Sequence, residues 1–299
     1  MRTNLPLRRL FRNFAVLLAA GLAFARPALA QDLHPALWKV SDADTTIYLF
    51  GTIHMLQPGA EWLNGPLAKA VDSADEIVTE VVDPDGGETQ AALLRRAMLP
   101  KGENLRMAMA PKRRAALDAL LARIGVPISA LDAYKPWYAA VVLSSLPLIK
   151  RGFSARDGVE AALAARQGPH PHTRGGLETV DQQLALLDGL PVTSQLAYLD
   201  SVIADFDTID PQVDAMFAAW GKGDAEALAR LMNESDAKDD PLLTQTLILN
   251  RNRAWADWVR KRLDKPGIVF LAVGAGHLAG PGSVQERLAQ LGVRAERVQ

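Results

Sequence analysis

The chain contains no cysteine among its 299 residues. That excludes disulfides, a thiol nucleophile, thiolate metal ligands and a lipidated cysteine, and a domain of this size needs no disulfide to hold its core. Beyond one short apolar run near the N-terminus, no segment approaches membrane-spanning length. There is no short-period repeat and no low-complexity linker. A Gly-x-Ser-x-Gly elbow, a phosphate-binding glycine loop, a His-Glu-x-x-His helix and a dinucleotide fingerprint are all missing, which argues against the common hydrolase, kinase and dehydrogenase classes. A basic excess is missing too. With 33 Lys and Arg against 34 Asp and Glu, the formal charge is −1 and gives no support for nucleic-acid binding. What remains is 49% hydrophobic and 22% charged, the composition of a globular protein that buries a sizeable core.

The first thirty residues read as a secretory signal peptide. Arg2, Arg8, Arg9 and Arg12 form a basic start, 14–24 is a short apolar run, and Ala28-Leu29-Ala30 is a small-x-small cleavage site before Gln31. Cleavage after Ala30 and a periplasmic or secreted mature protein are expected. Arg8-Arg9-Leu10-Phe11 faintly resembles a twin-arginine signal, so the export route stays open. Removing five arginines and no acids takes the formal charge from −1 to −6.

The pattern along the mature chain, 31–299, predicts one α/β domain with a mostly parallel sheet built from both chain ends and a large helical insert over about 88–264. Strands are expected at 37–40 and 45–50 as a hairpin, at 76–82, at 177–180, at 267–273 and at 293–298. Helical spacing covers 63–74, 88–98, 111–124, 136–149, 159–167, 182–187, 192–206, 211–220, 225–233, 242–263 and 283–291. Asp83-Pro84-Asp85-Gly86-Gly87 breaks the second core strand, and Gly168-Pro169-His170-Pro171-His172 is a loop.

Two units share one grammar. Tyr48-Leu49-Phe50 runs into Gly51-Thr52-Ile53-His54, and Phe270-Leu271-Ala272-Val273 runs into Gly274-Ala275-Gly276-His277. Two of only five histidines thus follow a strand in a Gly-x-x-His context, more than two hundred residues apart. Ligands collect beyond the carboxyl ends of parallel strands, where a glycine permits close backbone approach and a histidine serves as metal ligand or base. Glu80 is either a surface-facing edge residue or an acid aimed at His54 from the end of a neighbouring strand. Glu160, just inside a helix start, is sufficiently explained by a helix-dipole interaction, with a role at the site as the alternative. Arg251 is either a solvated helix charge or a guanidinium for an oxyanion or substrate carboxylate. Two imidazoles with one or two carboxylates suit a divalent ion such as Mn, Co or Zn, able to activate water. His170 and His172 read as an exposed loop pair, and His34 as a residue near the mature N-terminus without a role.

These motifs together resemble the TraB/GumN family, which includes the Tiki-type metalloproteases. The resemblance is carried by Leu49-Phe50-Gly51-Thr52-Ile53-His54, the strand ending at Glu80, Gly158-Val159-Glu160, Leu177-Glu178-Thr179-Val180-Asp181-Gln182-Gln183, Trp220 with Gly223-Asp224, Arg251-Asn252 and Val273-Gly274-Ala275-Gly276-His277-Leu278. It implies an α/β fold shared with erythromycin esterase-like and ChaN-like proteins. It also implies a peptidase-like, metal-dependent hydrolase with His54, His277, Glu80 and Arg251 in the active site, and less defined roles for Glu160 and Glu178. The expected reading is therefore a metal held by His54, His277 and Glu80, with Glu80, Glu160 and Arg251 in catalysis, acting on a peptide or other small extracytoplasmic substrate. The competing readings are a periplasmic protein that binds peptide or haem without turnover and an accessory factor in envelope polysaccharide production.

Overall fold

The computed structural model describes residues 33–82, 87–233 and 240–299, without the side chains of 232 and 233. The expected signal peptide over 1–30 and most of the break at 83–87 lie outside the described residues. Chain order begins with strand β1 (Leu37–Ser41) and β2 (Thr45–Thr52), an antiparallel hairpin. The Asp42 carboxylate closes its turn by accepting the backbone N–H of Asp44 and of Thr45. Helix α1 (Gly65–Ser73), with Pro66 in its first turn, leads to β3 (Glu76–Thr79).

The insert follows: α2 (Gly87–Ala97), α3 (Pro111–Ile124), α4 (Pro136–Lys150), α5 (Val159–Ala165), strand β4 (Thr173–Gly176), α6 (Val180–Asp188), α7 (Val192–Asp205), α8 (Ile209–Gly221) and α9 (Ala225–Asn233). A further helix starts at Pro241–Thr244 as α10, widens to a π-turn over Gln245–Leu249 and resumes as α11 (Asn250–Arg262). β5 (Gly267–Gly274), α12 (Val284–Gln290) and β6 (Glu296–Arg297) close the chain.

The sheet order is β4-β3-β5-β2-β1-β6. β5 lies between β2 and β3 and is parallel to both, so strands from the two chain ends form the centre of the sheet, as expected. Alternation distributes the apolar residues between two faces. Phe50 and Phe270 pack with Trp62, Leu67, Val71 and Trp220 on one side. Ile47, Leu49, Val269 and Leu271 pack with Trp255, Val259, Val284 and Leu288 on the other. The insert carries its own core around Leu117, Leu121, Leu143 and Leu199. No described helix is long and apolar enough to cross a membrane.

Four elements differ from expectation by more than an end residue or two. β3 stops at Thr79 rather than 82. The strand expected at 177–180 lies upstream at Thr173–Gly176, because Thr179 and Gln182 form a capping box that starts α6. The helix expected over 242–263 contains the π-turn, and the strand expected over 293–298 is reduced to Glu296–Arg297 against β1.

Candidate active site

Parallel pairing fixes where the two Gly-x-x-His units meet. Gly51 pairs with Val273 and Thr52 with Gly274, so both loops leave the same edge of the sheet side by side. Glu80 sits one residue past β3, whose Thr79 pairs with Ala272 of β5. The surface-edge reading of Glu80 fails, since the residue is only 7% exposed. A Cβ built on Gly274 would lie 3.2 Å from Glu80 Oε1, 3.5 Å from His277 Cδ2 and 3.8 Å from His54 Nε2. Gly274 thus leaves open the small space on which the three expected ligands converge.

The two histidines are held differently. His54 Nδ1 is 2.8 Å from Glu160 Oε1, an oxygen that also accepts the Thr52 hydroxyl proton. Glu160 is brought there by Gly158, where any Cβ would stand 2.1 Å from the His54 carbonyl oxygen. With that glycine in place, the start of α5 lies on the His54 loop and Val159 N–H donates to the Ile53 carbonyl. His277, in a short 3₁₀ turn over Ala275–Leu278, is buried, and its Nδ1 is 2.6 Å from Asn252 Oδ1. Its ring packs 4.4 Å from that of Trp255.

Arg251 is no solvated helix charge. Its Nε and Nη2 donate to Glu178 at 2.9–3.2 Å, Nη2 to Glu80 Oε2 at 2.6 Å, and Nη1 to the Leu247 carbonyl and to His277 Nε2, each at 3.1 Å. A guanidinium has five N–H donors, and these partners engage all of them. Its planar face lies 4.5 Å from the Trp255 ring. The Leu247 carbonyl belongs to the π-turn, an irregularity that recurs at functional sites. Glu80 is completed by Gly274 N–H on Oε1 (2.7 Å) and Gln183 Nε2 on Oε2 (2.8 Å).

Electrostatics follow from these contacts. Burial alone would push the Glu80 carboxyl up, but Arg251, His277 (protonated by the pH at which Glu80 titrates), His54 and the Gly274 N–H outweigh it and hold the group down to about 2. The hydrogen bond to Glu160 raises His54 to about 9 against its desolvation. The side chain is 66% exposed, so solvent screens that rise. Burial drives His277 down to about 3, helped by Arg251 and His54, so its ring is neutral. Glu160 is lowered because the bonds from His54 and Thr52 outweigh its burial.

The donor set suits a divalent transition metal. Each imidazole has Nδ1 tied to an oxygen from another element, the arrangement that fixes ligating histidines and directs Nε2 outward. Among the described residues, no three acidic or imidazole side chains already surround one point as ligands. Arg251 Nη1 also covers the His277 Nε2 lone pair. An ion on that nitrogen requires the Nη1 end of the guanidinium to move away.

His170 and His172 stand elsewhere. Their Nε2 and Nδ1 both approach the Ala74 carbonyl, two residues before β3 begins and at the opposite end of that strand from Glu80. Sequence reasoning left Asn252, Thr52, Gln183 and Trp255 without a role and the role of Glu178 undefined. Asn252 had a signal in its adjacency to Arg251, and Glu178 and Gln183 in their shared motif. Thr52 lay inside a Gly-x-x-His unit, and Trp255 had no signal in spacing.

A model of the TraB/PrgY/gumN family matches residues 36–297. The chain is 27% identical over 264 residues to the uncharacterized protein YbaP of Escherichia coli (strain K12), covering 85% of this chain and 92% of that one. It is 28% identical over 251 residues to YbaP of Shigella flexneri, with 81% and 87% covered. An uncharacterized protein of Treponema pallidum (strain Nichols) is 24% identical over 276 residues, with 87% and 82% covered. No solved structure matches.

Proposed function

The chain belongs to the TraB/PrgY/gumN family, and from that premise we propose that it is an exported, metal-dependent hydrolase of peptidase type. A divalent ion (Mn, Co or Zn) would be held by Nε2 of His54, Nε2 of His277 and a Glu80 oxygen. The observation that carries this reading is the convergence of those three groups on Gly274, with each imidazole oriented through its Nδ1. When bound, such an ion polarises a substrate carbonyl and lowers the pKa of its water towards neutrality.

The chain's own residues have separable tasks. Glu160 accepts the Nδ1 proton of His54 and holds the ring, with the Thr52 hydroxyl fixing the carboxylate in turn. Arg251 keeps Glu80 ionised in a buried setting. The Arg251 N–H now on His277 Nε2 is the donor available to a developing oxyanion once that nitrogen is otherwise engaged. Glu178 holds the Nε–Nη2 edge of the guanidinium while the Nη1 end moves off His277. The substrate class is a peptide or another small extracytoplasmic amide or ester.

The test uses the purified mature chain. Metal analysis finds bound ion, MnCl₂, CoCl₂ or ZnCl₂ raises the melting temperature, and mass spectrometry of a peptide library shows cleavage. His54→Ala and His277→Ala lose cleavage while their circular dichroism stays native. Blank results in both metal analysis and thermal shift end the proposal. A haem absorption band on titration, lost in His54→Ala, supports instead a binding protein that uses the exposed His54 ring.

A further inference from the structure

We infer that Asn252 is a positioning residue, which locks His277 in the Nδ1–H tautomer and so fixes its Nε2 as a lone pair directed at Arg251. The functional weight of this inference rests on the hydrolase reading above; the tautomer itself does not. The reasoning runs through donors and acceptors whose roles allow one solution. The Gly282 carbonyl can only accept, and it lies 2.8 Å from one end of the Asn252 amide. That end is therefore Nδ2, which leaves Oδ1 facing His277 Nδ1 at 2.6 Å. An amide oxygen can only accept, so Nδ1 carries the proton. On the opposite edge of the ring, Arg251 Nη1 can only donate, and at 3.1 Å it requires an unprotonated Nε2. Two partners on opposite sides of the imidazole thus demand the same tautomer.

Burial makes that demand strict. Asn252 is fully enclosed and His277 is 5% exposed, so water does not replace either partner. The two histidines also differ in kind. His54 rests on a carboxylate that itself accepts from Thr52, whereas His277 rests on a neutral amide anchored to a backbone carbonyl. Two rings drawn from one repeated motif therefore have different partners at Nδ1. His277 becomes the rigid neutral nitrogen of the pair, and His54 the open one.

The test is long-range ¹H–¹⁵N correlation of the full mature chain labelled with ¹⁵N-histidine, with His277→Gln identifying the resonance. Wild type shows His277 as the neutral Nδ1–H form. Asn252→Leu, similar in size but without an acceptor, leaves Arg251 as the remaining constraint on the ring and moves the Nδ1–H resonance away from its hydrogen-bonded position, whereas Asn252→Asp, which keeps an acceptor oxygen, retains it. Under the hydrolase reading, ZnCl₂ affinity by calorimetry falls roughly 10–100-fold in Asn252→Leu, the range for lost outer-shell partners of ligating histidines. An Nε2–H form in wild type overturns the inference whether or not the variants fold, and so does an unchanged spectrum in a folded Asn252→Leu. Wild type that shows Nδ1–H yet binds no ion sinks the hydrolase reading and leaves the positioning role intact.

Discussion

At the scale of single residues, the governing fact is that one cation serves two buried carboxylates. Glu80 and Glu178 both depend on Arg251, and all three side chains are at most 15% exposed. Breaking a buried pair costs more than the pair contributes, because the surviving charge loses its partner in a poorly solvated place. Arg251→Met is therefore expected to destabilise the protein by about 3–5 kcal/mol. Glu178→Gln, which leaves Arg251 on Glu80, should cost about 1–2 kcal/mol. Urea unfolding of the metal-free protein measures both. An Arg251→Met loss no larger than that of Glu178→Gln would contradict the shared-cation account. Protons act on the same cluster. Glu80 contributes stability above its unfolded value of 4.5 and loses it as pH falls through about 2. His277 is neutral when folded, so it too stabilises above its unfolded value of 6.5 and loses this as pH falls towards about 3. His54 has the opposite sign, with stability present below 6.5 and lost as pH rises, damped by its exposure. Melting temperature of the metal-free protein should thus fall steadily below pH 6.5, and His277→Gln should flatten the part between 6.5 and 4.5. Identical slopes in the two proteins would mean that the His277 ring is not buried in its neutral form.

At the scale of elements, the site depends on how closely α5 approaches the loop after β2. Gly158→Ala would place a methyl group 2.1 Å from the His54 carbonyl oxygen, a separation that forces the helix start to retreat. The expected cost is about 1–3 kcal/mol, the range for overpacked sites, together with loss of the Glu160 bond to His54. Gly87→Ala is the control, since among the described residues nothing lies within 4 Å of its Cβ position. Equal melting temperatures for the two variants would show that the approach carries no strain. What sequence made legible at this scale was whatever short-range pattern encodes. The hairpin, the 111–124 helix and the strands leading into both Gly-x-x-His units follow from periodicity, and they appear where expected. The π-turn was not legible, because a single extra residue within an apolar helical stretch leaves the three-and-four spacing nearly unchanged. Nor was the upstream placement of β4, where the pair Gly175-Gly176 has little strand character of its own and is ordered by pairing with β3. Glu80 and Glu160 were visible as candidates. Which group each would pair with was not, because Arg251 reaches Glu80 across 171 positions and His54 reaches Glu160 across 106.

At the scale of the whole molecule, the site exists only when both ends of the chain have met. His54 follows a strand of the first hairpin and His277 follows the penultimate strand, and parallel pairing of β2 with β5 sets them side by side. An unfolded chain has no such cluster, so any ion that binds it binds the folded state alone and stabilises the entire unit. At an ion concentration about 100 times its dissociation constant, that linkage is worth about 2.7 kcal/mol of global stability. Under the hydrolase proposal, ZnCl₂ or MnCl₂ should therefore raise the urea midpoint of the wild-type chain by the corresponding amount. His54→Ala and His277→Ala should abolish the increment. His170→Ala should leave it unchanged, because that ring sits against Ala74 at the far end of β3. The three variants separate a site built at the carboxyl edge of the sheet from ion uptake by any available imidazole. Stabilisation that disappears in His170→Ala but survives in His277→Ala would move the metal to the wrong end of the molecule and remove the physical basis of the proposed chemistry.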